Sequence, residues 1–335
     1  MSILDDNKVE NKLKEIISTK KNFFITRLGG TDWQLFVDIY NNNGKVEEKH
    51  YNTDYKLIFK YAGYYDKSTD NKTRKENMEK WYFNFKNAVI KADHHFVGGR
   101  DYNIVWTKGT AKTTPVVDNN FEMSSFGYVV ELLEKKTLLF DIFPLFENKK
   151  ILIISPFGND ICKNYNKNKD LIFKNFTNIL GDTGIKYSQF KYPNFKSIDY
   201  VELFITNNDS LIRNSDNSWS FINNIQNHCP HNNFSETINV IKEELKKKDF
   251  DIALIGGGAY TQELGIFIKE QLNKGAFYFG GALQCYFGIK GRRYLPKYGK
   301  YMNNGWVNPN IDNLSPYLKS LINKGPTEAM GAYFV

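Results

Sequence analysis

Two short, strongly apolar runs, each leading into a turn and then a helical pattern, constrain the fold of this chain more than any other feature. The first run covers residues 151–155 and the second covers residues 251–255. Such runs, rich in β-branched residues, are typical of strands that are buried on both faces of a parallel sheet. Strands that alternate with helices form parallel βαβ units. We therefore predict an α/β fold with a Rossmann-like, mostly parallel sheet and flanking helices.

Weaker patterns extend this alternation along the chain. Apolar residues at helical spacing predict helices, and short apolar or aromatic stretches that end at turns predict strands. The predicted helices cover residues 5–18, 33–40, 75–90 and 161–178, with another after residue 258, and the further strands cover 22–27, 102–106 and 276–279. We expect one α/β catalytic domain over residues 1–335, made of an N-terminal half (1–145) and a Rossmann-like half (146–335).

Composition and charge narrow the class of protein. With 41% hydrophobic and 16% aromatic residues the chain is too apolar to be disordered. Three cysteines, odd in number and far apart, argue against a disulfide framework. The sequence has neither a signal-peptide pattern nor an apolar stretch that could span a membrane, so we expect a cytoplasmic protein of a bacterium or a virus-infected cell. Its net charge of +8 favours an anionic ligand.

Three consecutive glycines, Gly256, Gly257 and Gly258, separate the second apolar run from the next helix. Glycines let the backbone approach a phosphate closely, and a helix N-terminus offers free N–H groups. The alternative is a tight turn without a ligand. A dinucleotide fingerprint would need a third glycine at Thr261 and an acid after the next strand, so NAD is disfavoured.

A second glycine-rich stretch follows the last predicted strand. It contains Gly280, Gly281 and Gln284, and then the three cations Lys290, Arg292 and Arg293. Cations and an amide at this spacing could bind a diphosphate and recognise a base or a sugar hydroxyl. The alternative is a basic surface loop. The tyrosines among residues 290–301 would also suit stacking on single-stranded nucleic acid.

The turn after the first predicted strand brings opposite charges together. Arg27, Gly29 and Asp32 fall at the expected edge of the sheet, and Asp160 occupies a similar position after the strand at residues 151–155. Each of these two acids could hold a divalent metal, accept a proton or cap the following helix, and the residues alone leave these alternatives open.

These segments, together with residues 303–309 and 328–334, resemble a family of glycosyltransferase-like proteins from bacteria and large viruses, related to the GT-D class. The resemblance covers most of the chain, and its most specific part is Gly-Gly-Ala-Leu-Gln at 280–284 followed by Gly-Ile-Lys-Gly at 288–291. It implies a GT-D-like sheet that binds a nucleotide sugar, with an Asp-x-Glu pair that engages Mn²⁺ or Mg²⁺. In this chain the first acid of that pair falls on Gly30 and the second on Asp32.

The resemblance therefore implies one of two ways to stabilise the leaving diphosphate. Either Asp32 holds a metal with help from Glu328 or Asp160, or the cations of residues 290–293 act without one. We expect a glycosyltransferase that moves a sugar from a nucleoside diphosphate to a glycan or another hydroxyl acceptor, with Asp32, Glu328 and Asp160 as candidate catalytic acids. The alternative is a non-catalytic protein that binds nucleic acid or glycan through residues 290–301.

Overall fold

A computed structural model shows the architecture of most of the chain. It describes residues 6–28, 31–56, 58, 63–97, 123–125, 142–178, 186–203, 211–213, 219–221, 229–291 and 295–310. The predicted strand at residues 102–106 lies outside these ranges.

Seven strands form one sheet, in which every pair of neighbours is parallel. The strand order is β3-β2-β1-β9-β8-β4-β5, and β6 and β7 form a separate antiparallel pair. The strands are β1 (Phe23–Leu28), β2 (His94–Val97), β3 (Met123–Ser125), β4 (Lys150–Ser155), β5 (Ser197–Glu202), β6 (Leu211–Arg213), β7 (Trp219–Phe221), β8 (Ile252–Ile255) and β9 (Gly275–Tyr278). This confirms the predicted α/β fold with a Rossmann-like parallel sheet.

Helices cover both faces of the sheet. They are α1 (Asp6–Thr19), α2 (Thr31–Asn41), α3 (Asn71–Lys91), α4 (Gly158–Asn168), α5 (Phe234–Leu245), α6 (Tyr260–Glu270), α7 (Ala282–Tyr286) and α8 (Leu295–Tyr298). Side-chain caps fix two of the helix starts, since Asp70 accepts the Thr73 N–H and Asn233 accepts the Glu236 N–H.

Each face of the sheet has its own hydrophobic core. The first core joins the sheet to α2, α3, α5 and α6, and the second joins it to α1, α4 and α7. The apolar run of β4 serves both, because Leu152 and Ile154 point into the first core while Ile151 and Ile153 point into the second. Burying each such side chain stabilises the fold by about 1.5–3 kcal/mol, which explains the uninterrupted apolar sequence.

One predicted helix is too long. The sequence predicts a helix over residues 161–178, but α4 begins at Gly158 and ends at Asn168, and turns follow it. The apolar residues Ile172, Phe173 and Phe176 still enter the second core, so they continue the apolar pattern without continuing the helix. The single domain with halves 1–145 and 146–335 stays a prediction, although both halves contribute strands to the sheet.

Candidate functional site

The candidate site lies at the carboxyl edge of the sheet, where the loops after β1, β4, β8 and β9 meet. After β4 the chain passes to α4 in the second core, whereas after the neighbouring β8 it passes to α6 in the first core. Adjacent strands whose connections leave to opposite faces open a crevice, which is where open α/β sheets bind ligands.

Arg27 joins the ends of β1 and β9. Its guanidinium lies so close to Gly280 that a Cβ on this glycine would stand 2.3 Å from Nη1. It also lies over the Tyr278 ring, with Cζ 5.4 Å from the ring centroid. Gly280 has a φ of +60°, in the left-handed region that favours glycine. A side chain at position 280 would therefore displace Arg27 as well as strain the turn.

The loop from Gly256 to Gly258 packs beside this pair. A Cβ on Gly256 would meet the Gly280 carbonyl oxygen at 3.0 Å, so the loops after β8 and β9 touch. Gly257 is buried, and its missing Cβ would lie 2.6 Å from Leu203 Cδ1. Gly256, Gly258 and Gly281 are half-buried, and so are Arg27 and Lys290. The structure thus brings Arg27 together with the two predicted glycine loops.

Two polar residues that sequence reasoning missed hold the end of β1 in place. Thr26 Oγ1 donates to Gln262 Oε1 at 2.8 Å, and Gln262 Nε2 donates to the Arg27 carbonyl oxygen at 3.1 Å. Both side chains are fully buried. A threonine within a buried strand and a glutamine on the buried face of α6 were the available signals, but their pairing joins residues 236 positions apart.

The two described candidate acids are not brought together. Asp32 is buried in the first turn of α2, after β1, whereas Asp160 lies in the first turn of α4, after β4. Three strand spacings separate β1 from β4, or about 14 Å. Asp160 Oδ2 accepts the Asn310 N–H at 2.7 Å, which fixes the C-terminal segment to α4. Burial, reinforced by the Asp160 charge, raises the pKa of the nearby Glu202 carboxyl.

Gln284 is held by its own chain. Its Nε2 donates to the Lys290 carbonyl oxygen at 2.8 Å, and the Lys290 N–H donates to the Val307 carbonyl oxygen at 2.8 Å. Asn164 of α4 fastens the same region, because its Nδ2 donates to the Phe287 and Gly305 carbonyl oxygens at 2.8 and 3.0 Å. This arrangement fixes the orientation of the buried glutamine amide.

Several predicted site residues fall outside the described ranges, namely Gly29, Arg292, Arg293 and Glu328. Two tyrosines of the 290–301 stretch are described. Tyr298 is buried, and the Tyr301 ring packs on Phe176 with centroids 5.3 Å apart. Both rings are thus engaged with the protein.

Among the residues that the structure describes, several buried polar atoms at this edge have no hydrogen-bond partner. They are Trp33 Nε1, Tyr260 OH, Thr261 Oγ1 and Gln284 Oε1. These residues belong to α2, α6 and α7, the helices that follow β1, β8 and β9. Buried polar groups are nearly always hydrogen-bonded in folded proteins, so a water or a ligand could complete the bonding of these atoms.

A separate cluster of Asp38, His50 and Asp54 has three potential ligand atoms within 4.8 Å of one another. His50 Nδ1 accepts the Glu47 N–H at 2.9 Å, so the neutral ring carries its proton on Nε2, 3.0 Å from Asp38 Oδ2. Although burial opposes it, hydrogen bonds from Lys49 and His50 hold the pKa of Asp38 below its ordinary value. With its proton on Nε2, His50 is a hydrogen-bond donor to Asp38, and a metal ion would have to replace that proton. Within the described ranges, neither Asp32 nor Asp160 belongs to such a group of three.

Comparison of the chain with protein-family models, with curated proteins and with solved structures finds no match in any of the three. Within the described ranges, no helix has the length and apolar character needed to cross a membrane.

Proposed function

We propose that this chain is a glycosyltransferase that moves a sugar from a nucleoside diphosphate to a hydroxyl group of a glycan or a similar acceptor. The observation that carries the proposal is the contact of Arg27 with Gly280, beside Gly256, at the carboxyl edge of the parallel sheet. A guanidinium next to backbone without side chains suits the phosphates of a nucleotide. The resemblance to the GT-D class points to the same ligand.

Transfer breaks the bond between the anomeric carbon and the diphosphate oxygen, while the acceptor oxygen forms a new bond to that carbon. The departing diphosphate needs positive charge, which Arg27 and Lys290 supply, and Arg292 and Arg293 are expected to add to it. In an inverting reaction a carboxylate takes the acceptor proton, which is worth about 10²- to 10⁴-fold in rate. Asp32 is our candidate for that base.

A divalent cation would neutralise the diphosphate if one were bound. Mn²⁺ and Mg²⁺ require several oxygen ligands, and the described residues around Asp32 do not supply such a set. The steps above therefore use only the side chains of this chain.

The alternative function, binding of nucleic acid or glycan through residues 290–301, requires free aromatic rings. The packing of Tyr298 and Tyr301 in the second core weighs against it. Titration with single-stranded oligonucleotides separates the two proposals, because nucleic-acid binding weakens steeply with salt.

The proposal is tested by measuring donor consumption with a panel of nucleoside diphosphate sugars and the Asp32→Asn variant. We expect turnover to fall at least about a hundredfold and the melting temperature to fall little, because asparagine keeps the side-chain shape and loses only the interaction of the charge with the start of α2. The matched control is Asp249→Asn, since Asp249 is exposed and pairs with Lys150 at the amino edge. Wild-type turnover in Asp32→Asn would assign the chemistry to Glu328 or Asp160, and a wild-type protein that consumes no donor would refute the proposed function.

A further inference from the structure

The backbone between β8 and α6 has a conformation that points successive N–H groups to one side. Gly258 is left-handed, with a φ of +53°, and Ala259 is right-handed, with φ −60° and ψ −24°. Paired residues of opposite hand form a concave nest that binds anions through main-chain N–H groups. Gly258 is half-buried while Gly257 and Ala259 on either side of it are buried, so the loop reaches solvent at Gly258.

The hydrogen bonds of this loop leave three N–H groups unused. The Gly256 N–H donates to the Ile154 carbonyl oxygen at 2.8 Å, and those of Tyr260 and Thr261 donate back into the loop, both at 3.1 Å. Within the described part of the chain, the N–H groups of Gly257, Gly258 and Ala259 have no acceptor. Because no side chain caps α6, they add to the positive end of its dipole.

Thr261 gives an independent indication of a ligand. Its side chain is fully buried, and its Oγ1 has no hydrogen-bond partner among the described residues. This atom lies 3.5 Å from the point that a Gly257 Cβ would occupy, so the hydroxyl faces the loop. An unpaired buried hydroxyl is destabilising, and a hydrogen bond to a bound group would remove that cost.

The two helices that flank the crevice, α4 and α6, differ in whether an acid of the protein binds the N–H groups at their start. At the start of α4, the Glu202 carboxylate accepts the Asn159 N–H, so the protein itself supplies the anion there. The acid in the first turn of α6 is Glu263, and it pairs instead with Lys242 at 2.6 Å and Asn84 at 2.9 Å. The positive end of α6 is therefore left for an external anion.

We infer that the start of α6 is a phosphate subsite that needs no metal, in which the N–H groups of Gly257, Gly258 and Ala259 and the Thr261 hydroxyl contact the phosphate oxygens. Arg27, linked to the loop through the Gly280–Gly256 contact, faces the same edge. The inference rests on the proposed function and sharpens it, because it places the diphosphate of the donor on main-chain groups.

Inorganic pyrophosphate is the probe, and its binding to the full chain is measured by calorimetry in EDTA. Thr261→Val keeps the side-chain shape and removes the hydroxyl, and we expect it to weaken binding by about tenfold or more. Gly258→Ala should weaken binding as well, because a Cβ strains the left-handed conformation. The matched controls are Thr19→Val, whose exposed hydroxyl bonds to Glu15, and Gly44→Ala, which also has a positive φ.

Wild-type affinity in folded Thr261→Val overturns the inference, and so does binding of pyrophosphate that requires Mg²⁺. If Gly258→Ala does not fold, Thr261→Val alone decides the outcome. Pyrophosphate carries no sugar, so its binding is measured independently of transfer. If pyrophosphate binds as expected but the protein consumes no donor, the subsite is supported and the glycosyltransferase proposal is refuted. The reverse result, turnover without binding at this loop, refutes the subsite alone.

Discussion

Lowering the pH from 7 to 5 should destabilise this protein through two histidines of β2. Burial, with a smaller contribution from Lys12, lowers the pKa of His94 to about 4. Burial also lowers the pKa of His95 to about 3, although its Nε2 donates to the Val89 carbonyl oxygen at 2.8 Å. The ordinary value is 6.5. Between these pH values the unfolded chain takes up protons that the folded chain does not. The contribution of the two histidines to the free energy of unfolding is therefore full above pH 6.5 and is lost as the pH falls.

The size of the effect follows from the two shifts. At pH 5 the unfolded imidazoles are about 1.5 pH units below their pKa, while the folded ones remain neutral, so each histidine lowers the free energy of unfolding by about 2 kcal/mol. Together they cost about 4 kcal/mol, a large part of the about 5–15 kcal/mol that stabilises an ordinary domain. The raised pKa values of Asp54 and Glu202 act in the opposite direction.

Variants separate the histidines from these carboxyl groups. Urea unfolding of the wild type, His94→Leu and His95→Gln is measured at several pH values, and glutamine keeps a donor for Val89. Each variant should lose about 2 kcal/mol less than the wild type between pH 7 and pH 5. Val240→Thr, at an exposed site without a titrating group, should follow the wild type. If both histidine variants show the wild-type slope, the imidazoles are not desolvated and the argument from burial is wrong.

Two further predictions concern stability. Asn164→Ala leaves the Phe287 and Gly305 carbonyl oxygens without their donor and should lower the free energy of unfolding in urea by about 3 kcal/mol. The control Asn168→Ala removes only a bond to Asn164 and should lower it by less than half as much. Asp93→Asn should lower the free energy of unfolding by about 2 kcal/mol at pH 7. Asp93 accepts hydrogen bonds from Lys20, Lys269 and the Phe24 N–H, and these bonds hold its pKa below the ordinary value although burial opposes them. Stability of the wild type should fall below pH 4 as Asp93 protonates, and a variant with the same decline would show that this carboxylate is not responsible.

The sequence predicted the parts of the fold that depend on local patterns. The runs at β4 and β8 are apolar because both faces of the sheet are covered, so the strands and their glycine turns could be recognised without knowing their neighbours. Each residue of the Arg27–Gly280–Gly256 contact was a candidate because it ends a strand. That these strand ends touch depends on the strand order, which places β9 between β1 and β8 and which no local pattern encodes.

The predictions that failed, or could not be made, depend on contacts between distant residues. α4 ends at Asn168 although apolar residues continue, and Leu171 and Ile172 in the turns that follow pack against Gly305. The anchoring of Asp160 by the Asn310 N–H is equally invisible in the sequence, since it joins positions 150 residues apart. An acid in the first turn of a helix has the same sequence signature whether it binds a ligand, takes a proton or fixes another segment.

The position of β9 in the sheet affects how this chain can fold during synthesis. β1 pairs with β9 through Phe23 and Gly275, so the partner of an early strand leaves the ribosome about 250 residues later. Until then β1 and β8 each present an open strand edge, and such edges readily pair with other chains. A chain that stops between residues 255 and 275 would carry both edges without the strand that joins them. We therefore expect chains that lack β9 to aggregate more readily than the full chain, because both strand edges stay open.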